Sequence, residues 1–249
     1  MRKFGLIGYP LGHSFSAGYF ADKFKAENIT NCEYNNYPIK SIDKFPDLIK
    51  ENVELKGLNV TIPYKEEVIP FLDDLHEGAR EIGAVNCIKI VQQEKNTKLI
   101  GYNTDVFGFQ YSLEPHLKSI HKKALILGTG GAAKAVAWVL KNWGIEYAYV
   151  SRTPKTEQDF SYPQLTEGVI KEHLLIVNTS PLGMHPKVNT CPDIPYESLS
   201  REHILYDLVY NPLETLFLKK GKEKGAVTVN GLLMLEQQAN KAWEIWNED

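Results

Sequence analysis

Lys123-Ala-Leu-Ile-Leu-Gly-Thr-Gly-Gly-Ala-Ala-Lys134 is the stretch that decides the fold. Four apolar residues, Ala124 to Leu127, run straight into Gly128, Gly130 and Gly131, and an apolar-periodic segment from Ala132 through Trp143 follows. A short apolar run, a glycine cluster and a 3.6-residue period, in that order, read as a buried strand, a tight turn and a helix start. A helix start presents unpaired N–H groups and the positive end of its dipole, so it suits a phosphate. Glycine is needed because a Cβ would hold a pyrophosphate away from the backbone. The stretch predicts a dinucleotide held by Gly128, Gly130, Gly131 and Ala132. The alternative reading is a structural left-handed turn in an α/β protein of any function.

The next strand, Tyr147-Ala-Tyr-Val150, ends in Ser151-Arg152-Thr153, about 20 residues beyond Gly128. A ribose with a free 2′-OH is usually held by an Asp or Glu at this point. A guanidinium flanked by hydroxyls suits a 2′-phosphate instead, and Lys155 can add charge. Ser151, Arg152 and Thr153 therefore favour NADP over NAD. The competing reading of Arg152 is a solvated surface arginine.

Working outward, strands are expected at Leu174–Asn178, Ile204–Leu208 and Ala226–Val229. The connection from Thr153 to His173 is poor in helical periodicity and holds Pro154 and Pro163, so the crossover helix of a doubly wound sheet is expected to be shortened or replaced by a loop. Upstream, strands are expected at Phe4–Gly8, Cys32–Tyr37, Gly57–Ile62, Ala84–Val91 and Thr97–Tyr102, the last two joined by a turn at Glu94-Lys95-Asn96. Helices are expected at Ser16–Asn28 and Ser41–Asn52, the latter strained by Pro46, and after Pro63. The segment Gly231–Trp246 reads as a helix with Leu232, Leu235, Ala239, Ala242, Trp243 and Trp246 on one face, Gln238 on its flank and Gln237 pointing away. The fold class is α/β. Residues 1–104 are expected to form an N-terminal α/β domain, and residues 105–230 a Rossmann-type doubly wound domain. Helix 231–249 is expected to return to the first domain, with a cleft between the two.

Composition narrows the function. The chain has 249 residues, 43% hydrophobic and 24% charged, with a net charge of −3. These values suit a globular protein and give no reason to expect nucleic acid or an anionic membrane as partner. No stretch approaches the roughly 20 apolar residues of a membrane span, and residues 1–10 lack a signal-peptide core. Cys32, Cys87 and Cys191 are far apart and read as reduced thiols in a cytoplasmic protein. No H-E-x-x-H spacing occurs, and no metal is expected.

Small polar groups gather at element ends in the first domain. Ser14 and Ser16 open a helix; Asn59 and Thr61 lie two apart on one strand and share a face. Lys65 is expected in the first turn of the next helix, Asn86 in a strand, and Asp105 at a helix start. Singly, each has a structural reading: Ser16 and Asp105 as N-caps, Asn59 and Asn86 as partners of strand-end backbone, Lys65 as a solvated cation. Together they describe a pocket of neutral donors and acceptors with one ammonium and one carboxylate. Such a pocket suits a polyhydroxylated carboxylate, because each desolvated hydroxyl needs a partner.

The chain resembles the shikimate dehydrogenases. The matching pieces are Gly5-Leu-Ile-Gly-Tyr-Pro-Leu-Gly-His-Ser-Phe-Ser16, Gly57-Leu-Asn-Val-Thr-Ile-Pro-Tyr-Lys65, Gly83-Ala-Val-Asn86, Gly101-Tyr-Asn-Thr-Asp105 and Gly128-Thr-Gly-Gly-Ala132. Ser151-Arg-Thr153, Asn178-Thr-Ser-Pro-Leu-Gly-Met184, Tyr206-Asp-Leu-Val-Tyr-Asn-Pro212 with Thr215, and Gly231-Leu-Leu-Met-Leu-Glu-Gln-Gln-Ala239 complete the set. The resemblance implies reversible NADPH-dependent reduction of 3-dehydroshikimate to shikimate in aromatic amino-acid biosynthesis. It implies that Ser14 and Ser16 hold the ring carboxylate, with Tyr210 near it. Asn59, Thr61, Asn86, Asp105 and Gln238 would hold ring hydroxyls, and Lys65 and Asp105 would form the catalytic pair. Thr179, Met184 and Gly231 would line the nicotinamide side, and Leu208 would also bind the cofactor. The protein would act on a small molecule as a monomer or homodimer.

Two departures from the family pattern stand out. Ala17-Gly-Tyr-Phe-Ala21 replaces the usual continuation of the Ser-x-Ser element, and Ser151 replaces the Asn of Asn-Arg-Thr, with Thr156 where a second basic residue is usual. Rival readings are a quinate or dual quinate/shikimate dehydrogenase using NAD, and a non-catalytic cofactor-binding regulator. Both serines favour shikimate over quinate, and the presence of both Lys65 and Asp105 speaks against a pure binder.

Overall fold

The computed structural model describes residues 1–12, 15–93 and 96–248. The chain divides into two compact units, one of Met1–Thr104 with the chain from Gln238 onward, the other of Asp105–Gln237. The division falls inside the last helix. No helix among the described residues is long and apolar enough to cross a membrane.

The first unit holds one mixed sheet. Its strands are β1 (Arg2–Gly8), β2 (Cys32–Pro38), β3 (Leu55–Val60), β4 (Asp74–Leu75), β5 (Cys87–Gln92) and β6 (Thr97–Tyr102), in the order β2-β1-β3-β5-β6-β4. The β3–β5 and β5–β6 pairs are antiparallel and the others parallel. Side-chain alternation feeds two cores: Cys87 enters one with Phe4, Phe20 and Phe24, while Ile88 enters the other with Ile7, Phe45, Leu58 and Val85. Helices α1 (Phe15–Ala26), α2 (Phe45–Glu51) and α3 (Glu77–Ile82) connect the strands.

Three expectations are corrected here. The helix expected over 41–52 is a 3₁₀ turn, Ile42–Lys44, followed by α2, because Pro46 fits the first turn of a helix, where its missing N–H costs nothing. The helix expected after Pro63 is a run of turns over 62–68 and a 3₁₀ turn at Ile69–Phe71. There the carbonyl of Lys65 accepts from the N–H of Val85 at 2.7 Å, leaving the local ladder, and Pro70 disfavours a helical residue before it. The strand expected from Ala84 begins only at Cys87, since α3 ends at Gly83 in the left-handed region, φ 68°. Of the turn expected at 94–96, Glu94 and Lys95 lie outside the described residues.

The second unit opens with α4 (Asp105–Leu113) and contains β7 (Lys123–Leu127), α5 (Gly131–Asn142), β8 (Glu146–Ser151), β9 (Phe160–Ser161), α6 (Glu167–Glu172), β10 (Leu175–Asn178), β11 (Ile204–Asp207), α7 (Leu216–Glu223) and β12 (Val227–Val229). All six strands are parallel, in the order β12-β11-β10-β7-β8-β9. The order reverses between β7 and β10, and ligands of doubly wound sheets bind outside the carboxyl ends of the strands at such a point. Ala124 and Ile126 pack into one core and Leu125 and Leu127 into another, so β7 beyond Lys123 is apolar at successive positions instead of alternating. No helix crosses from β8 to β9; residues 152–159 make the connection, beside a cavity of about 980 Å³ lined by Lys134, Tyr147, Tyr149 and Phe160 among others.

The last helix, α8 (Leu232–Asn247), serves both units: Met234 joins the core around β7, while Ala239, Ala242, Ile245 and Trp246 join that around Phe4. Trp246 stacks on Phe4 with ring centroids 5.0 Å apart and donates its indole N–H to the carbonyl of Ile88 at 3.0 Å. A Cβ on Gly57 would lie 2.2 Å from that indole nitrogen, so glycine is what lets the helix seat.

Candidate active site

In the first unit, buried amides form one continuous network at the ends of β3, β5 and β6. The phenol of Tyr34 donates to Oδ1 of Asn59 at 2.8 Å, and Nδ2 of Asn59 donates to the carbonyl of Asn86 at 3.3 Å. Oδ1 of Asn86 accepts from both the N–H (2.7 Å) and the hydroxyl (3.2 Å) of Thr104. Oε1 of Gln238 accepts from Oγ1 of Thr104 at 3.3 Å and lies 3.5 Å from Nδ2 of Asn86. Asn59, Asn86, Thr104 and Gln238 are all buried. Burial pushes the Tyr34 phenol well above its ordinary range, and a hydrogen bond with Ser16, itself buried, acts the other way. The network therefore runs from Ser16 on α1 to Gln238 on α8.

Gln238 is corrected from a flank position to a buried one, and Gln237 is half-buried instead of pointing away. Asn86 precedes its strand by one residue. Lys65 sits in the turn over 62–68 and is half-buried; the bond from Val85 N–H to its carbonyl ties it beside the segment carrying Asn86. Thr61 follows β3, and its γ-methyl would lie 2.5 Å from a Cβ on Gly8, so glycine allows the first strand to close on it. Asp105 is buried and stands next in the chain to Thr104. Ser14 lies outside the described residues.

Sequence reasoning missed Tyr34 and Thr104 as members of this network. Thr104 stands inside the quoted Gly101–Asp105 piece, and its place between Asn86 and Gln238 required the tertiary pairing of β5 with β6. Tyr34 is recognisable only after folding, when it stacks on Phe20 at 4.5 Å.

In the second unit the turn after β7 fits a dinucleotide. Gly128 has φ 123°, and a Cβ there would meet Oγ1 of Thr179 at 2.6 Å. A Cβ on Gly130 would point into open space, the room a pyrophosphate needs. No side chain caps α5, and its first internal bond runs from the N–H of Lys134 to the carbonyl of Gly130, so the N–H groups of its first turn, at Gly131, Ala132 and Ala133, have no partner within the helix and suit an anion. At the end of β8, the hydroxyl of Ser151 is buried without a hydrogen-bond partner among the described residues, and Arg152 and Thr153 are exposed. An orphaned buried hydroxyl beside an exposed guanidinium suits a ribose phosphate.

The far side of that sheet end carries the remaining candidates. Thr179 donates its hydroxyl to the carbonyl of Leu127 at 2.9 Å, tying β10 to β7 at the reversal point. Met184 is exposed, and burial raises the Tyr210 phenol. Leu208 contributes its backbone: its N–H bonds to Asn178, and a Cβ on Gly231 would lie 2.1 Å from its carbonyl, so only glycine lets α8 begin there. No cluster of His, Cys, Asp or Glu suited to a metal occurs among the described residues.

Residues 6–88 match the family model described as shikimate dehydrogenase substrate binding domain. A curated relative from Carboxydothermus hydrogenoformans, named shikimate dehydrogenase (NADP(+)), is 42% identical over 97% of this chain and 90% of its own. Among solved structures, a chorismate mutase/shikimate 5-dehydrogenase fusion protein from Clostridium acetobutylicum superposes with a TM-score of 0.87 at 36% identity, covering 99% of this chain and 91% of that one. The ligand-free 5-ketofructose reductase of Gluconobacter sp. strain CHM43 superposes with a TM-score of 0.82 at 31% identity, covering 99% and 92%.

Proposed function

The chain belongs to the shikimate dehydrogenase family, and from that premise we infer that it catalyses the reversible NADPH-dependent reduction of 3-dehydroshikimate to shikimate in aromatic amino-acid biosynthesis. The observation that carries the reading is the buried network of Asn59, Asn86, Thr104 and Gln238. Its members are neutral and polar and can each turn a donor or acceptor toward a ring hydroxyl.

When bound, NADP(H) supplies or accepts the hydride. Gly128, Gly130, Gly131 and Ala132 would hold its pyrophosphate, and Ser151, Arg152 and Thr153 the 2′-phosphate. Thr179, Met184, Leu208 and Gly231 would flank the nicotinamide. Reduction of the ketone leaves an alkoxide that needs a proton. Lys65, as an ammonium, stabilises that charge and donates the proton, and in the oxidative direction its neutral amine accepts it. Asp105 is the second member of the catalytic pair and takes a hydrogen bond from the substrate. Ser14 and Ser16 hold the ring carboxylate with Tyr210 near it, while Asn59, Thr61, Asn86 and Gln238 hold the ring hydroxyls. Desolvation makes each of these contacts count, because a buried hydroxyl left unpaired costs about 1–3 kcal/mol. The enzyme acts in the cytoplasm, as its three unpaired cysteines favour, and as a monomer or homodimer.

Steady-state assays with shikimate and with quinate, each with NADP and with NAD, test the reading. Shikimate with NADP is expected to have the highest kcat/KM. A higher value for quinate with NAD would overturn both the substrate and the cofactor assignment.

A further inference from the structure

Asp207, the last residue of β11, lies opposite Asn178 at the carboxyl end of the sheet and is fully buried. Its Oδ1 accepts from Nδ2 of Asn178 at 2.9 Å and from the N–H of Val209 at 3.0 Å, and its Oδ2 from the hydroxyl of Thr215 at 2.6 Å. Each partner holds a further segment. Oδ1 of Asn178 accepts from the N–H (3.1 Å) and hydroxyl (2.6 Å) of Ser180, and its Nδ2 also reaches the carbonyl of Leu182 at 3.4 Å. Thr215 caps α7 through the N–H of Leu218, and its Cβ lies 3.3 Å from where a Cβ on Gly183 (φ 89°) would be.

We propose that Asp207 is a positioning residue for the hydride-transfer site: its carboxylate sets the 179–184 turn and the 208–215 segment in the shape that receives the nicotinamide end of the cofactor. This rests on the reading that Thr179, Met184 and Leu208 flank that ring. A buried carboxylate with no cation beside it among the described residues is a costly choice for packing alone. What it supplies, and an amide of the same shape does not, is acceptor capacity for three donors at once; Asn has one acceptor oxygen, and a protonated Asp turns one acceptor into a donor. Desolvation pushes the Asp207 carboxyl up to about 6, opposed by the Thr215, Val209 and Asn178 hydrogen bonds. The titratable groups that sense it are the phenols of Tyr196 and Tyr206, both raised by burial and neutral at physiological pH. Asp207 is thus the group in this cluster that changes charge near pH 6.

Asp207→Asn tests the proposal in the full-length enzyme by hydrogen exchange without cofactor, NADPH affinity by fluorescence, and turnover across pH. Local exchange at Ser180, Leu182 and Val209 should quicken about 10-fold while β7 keeps its protection, because single hydrogen-bonded contacts open locally. NADPH affinity and kcat should each fall, by about 5- to 10-fold and about 10-fold or more, and the decline of kcat below about pH 6 in the parent should vanish. Unchanged exchange and affinity would overturn the proposal, as would exchange that quickens through β10 and β11 together with a lower Tm, which marks a merely structural role. Should Asp207→Asn fail to fold, Thr215→Val, which removes one of the three donors and keeps the carboxylate, is measured in the same way; quickened exchange at Val209 with weaker NADPH binding supports the proposal, and no change in either refutes it. Parent turnover of shikimate with NADP is a separate control: its absence refutes the functional reading, while the exchange data judge Asp207 independently.

Discussion

Replacing Asn86 by alanine strands a buried backbone donor. The Asn86 side chain accepts from the Thr104 N–H at 2.7 Å and from its hydroxyl at 3.2 Å, and both residues are buried. The hydroxyl has a second acceptor in Gln238 at 3.3 Å, but the N–H has no such replacement among the described residues. An unsatisfied buried N–H costs about 1–3 kcal/mol. Loss of the packed amide adds about 1 kcal/mol or more for the space left behind. A total of about 2–4 kcal/mol lowers Tm by about 5–15 °C for a chain of this size, at about 2–4 °C per kcal/mol. Because Asp105 follows Thr104 directly, Asn86→Ala should also lower kcat/KM for shikimate by about 100-fold or more, through both the lost substrate contact and the loosened Asp105. Differential scanning calorimetry and steady-state shikimate oxidation measure the two effects. A melting point within about 1 °C of the parent would show that Asn86 does not hold Thr104, and the construction of the site from this network would fall.

Gly57→Ala should push the Trp246 ring off the Ile88 carbonyl, costing about 2–4 kcal/mol from overpacking and the lost bond; an unchanged thermal melt would refute the tight seating of α8. Arg152→Ala should raise KM for NADP about 10- to 100-fold and leave that for NAD nearly unchanged, whereas equal losses would mean that Arg152 does not read the 2′-phosphate. Asp207 has a folded-state pKa raised to about 6, so between that value and its ordinary one the folded chain binds more protons than the unfolded one, and lowering the pH through this window favours folding. The stability of Asp207→Asn relative to the parent should therefore fall as pH drops from about 6 toward about 4, as urea melts at several pH values would record; a difference that does not change with pH would contradict the raised pKa.

Much of this architecture was legible in the chain because its strands are unambiguous. Ala124–Leu127 is apolar at every position, as a strand buried on both faces must be, and Gly128-Thr-Gly-Gly131 follows at once. The strand expected over Thr97–Tyr102 forms with the same bounds. The failures have local causes. Residues 62–68 carry a helix-like pattern, but the Lys65 carbonyl prefers Val85, a partner 20 positions away that no local period encodes. Gln238 reads as a flank residue on a helical projection, yet hydrogen bonding to Thr104 pays for its burial. Asp207 was visible as one letter of a motif. Its three donors come from β10, from the chain just beyond β11 and from the cap of α7, so its role emerges only in three dimensions.

Lys65→Ala tests most directly whether Lys65 hands the proton to the substrate oxygen. With shikimate and NADP, kcat should fall about 10³-fold or more while shikimate affinity, measured by calorimetry, stays within about threefold of the parent. Near-normal turnover by Lys65→Ala would contradict the account.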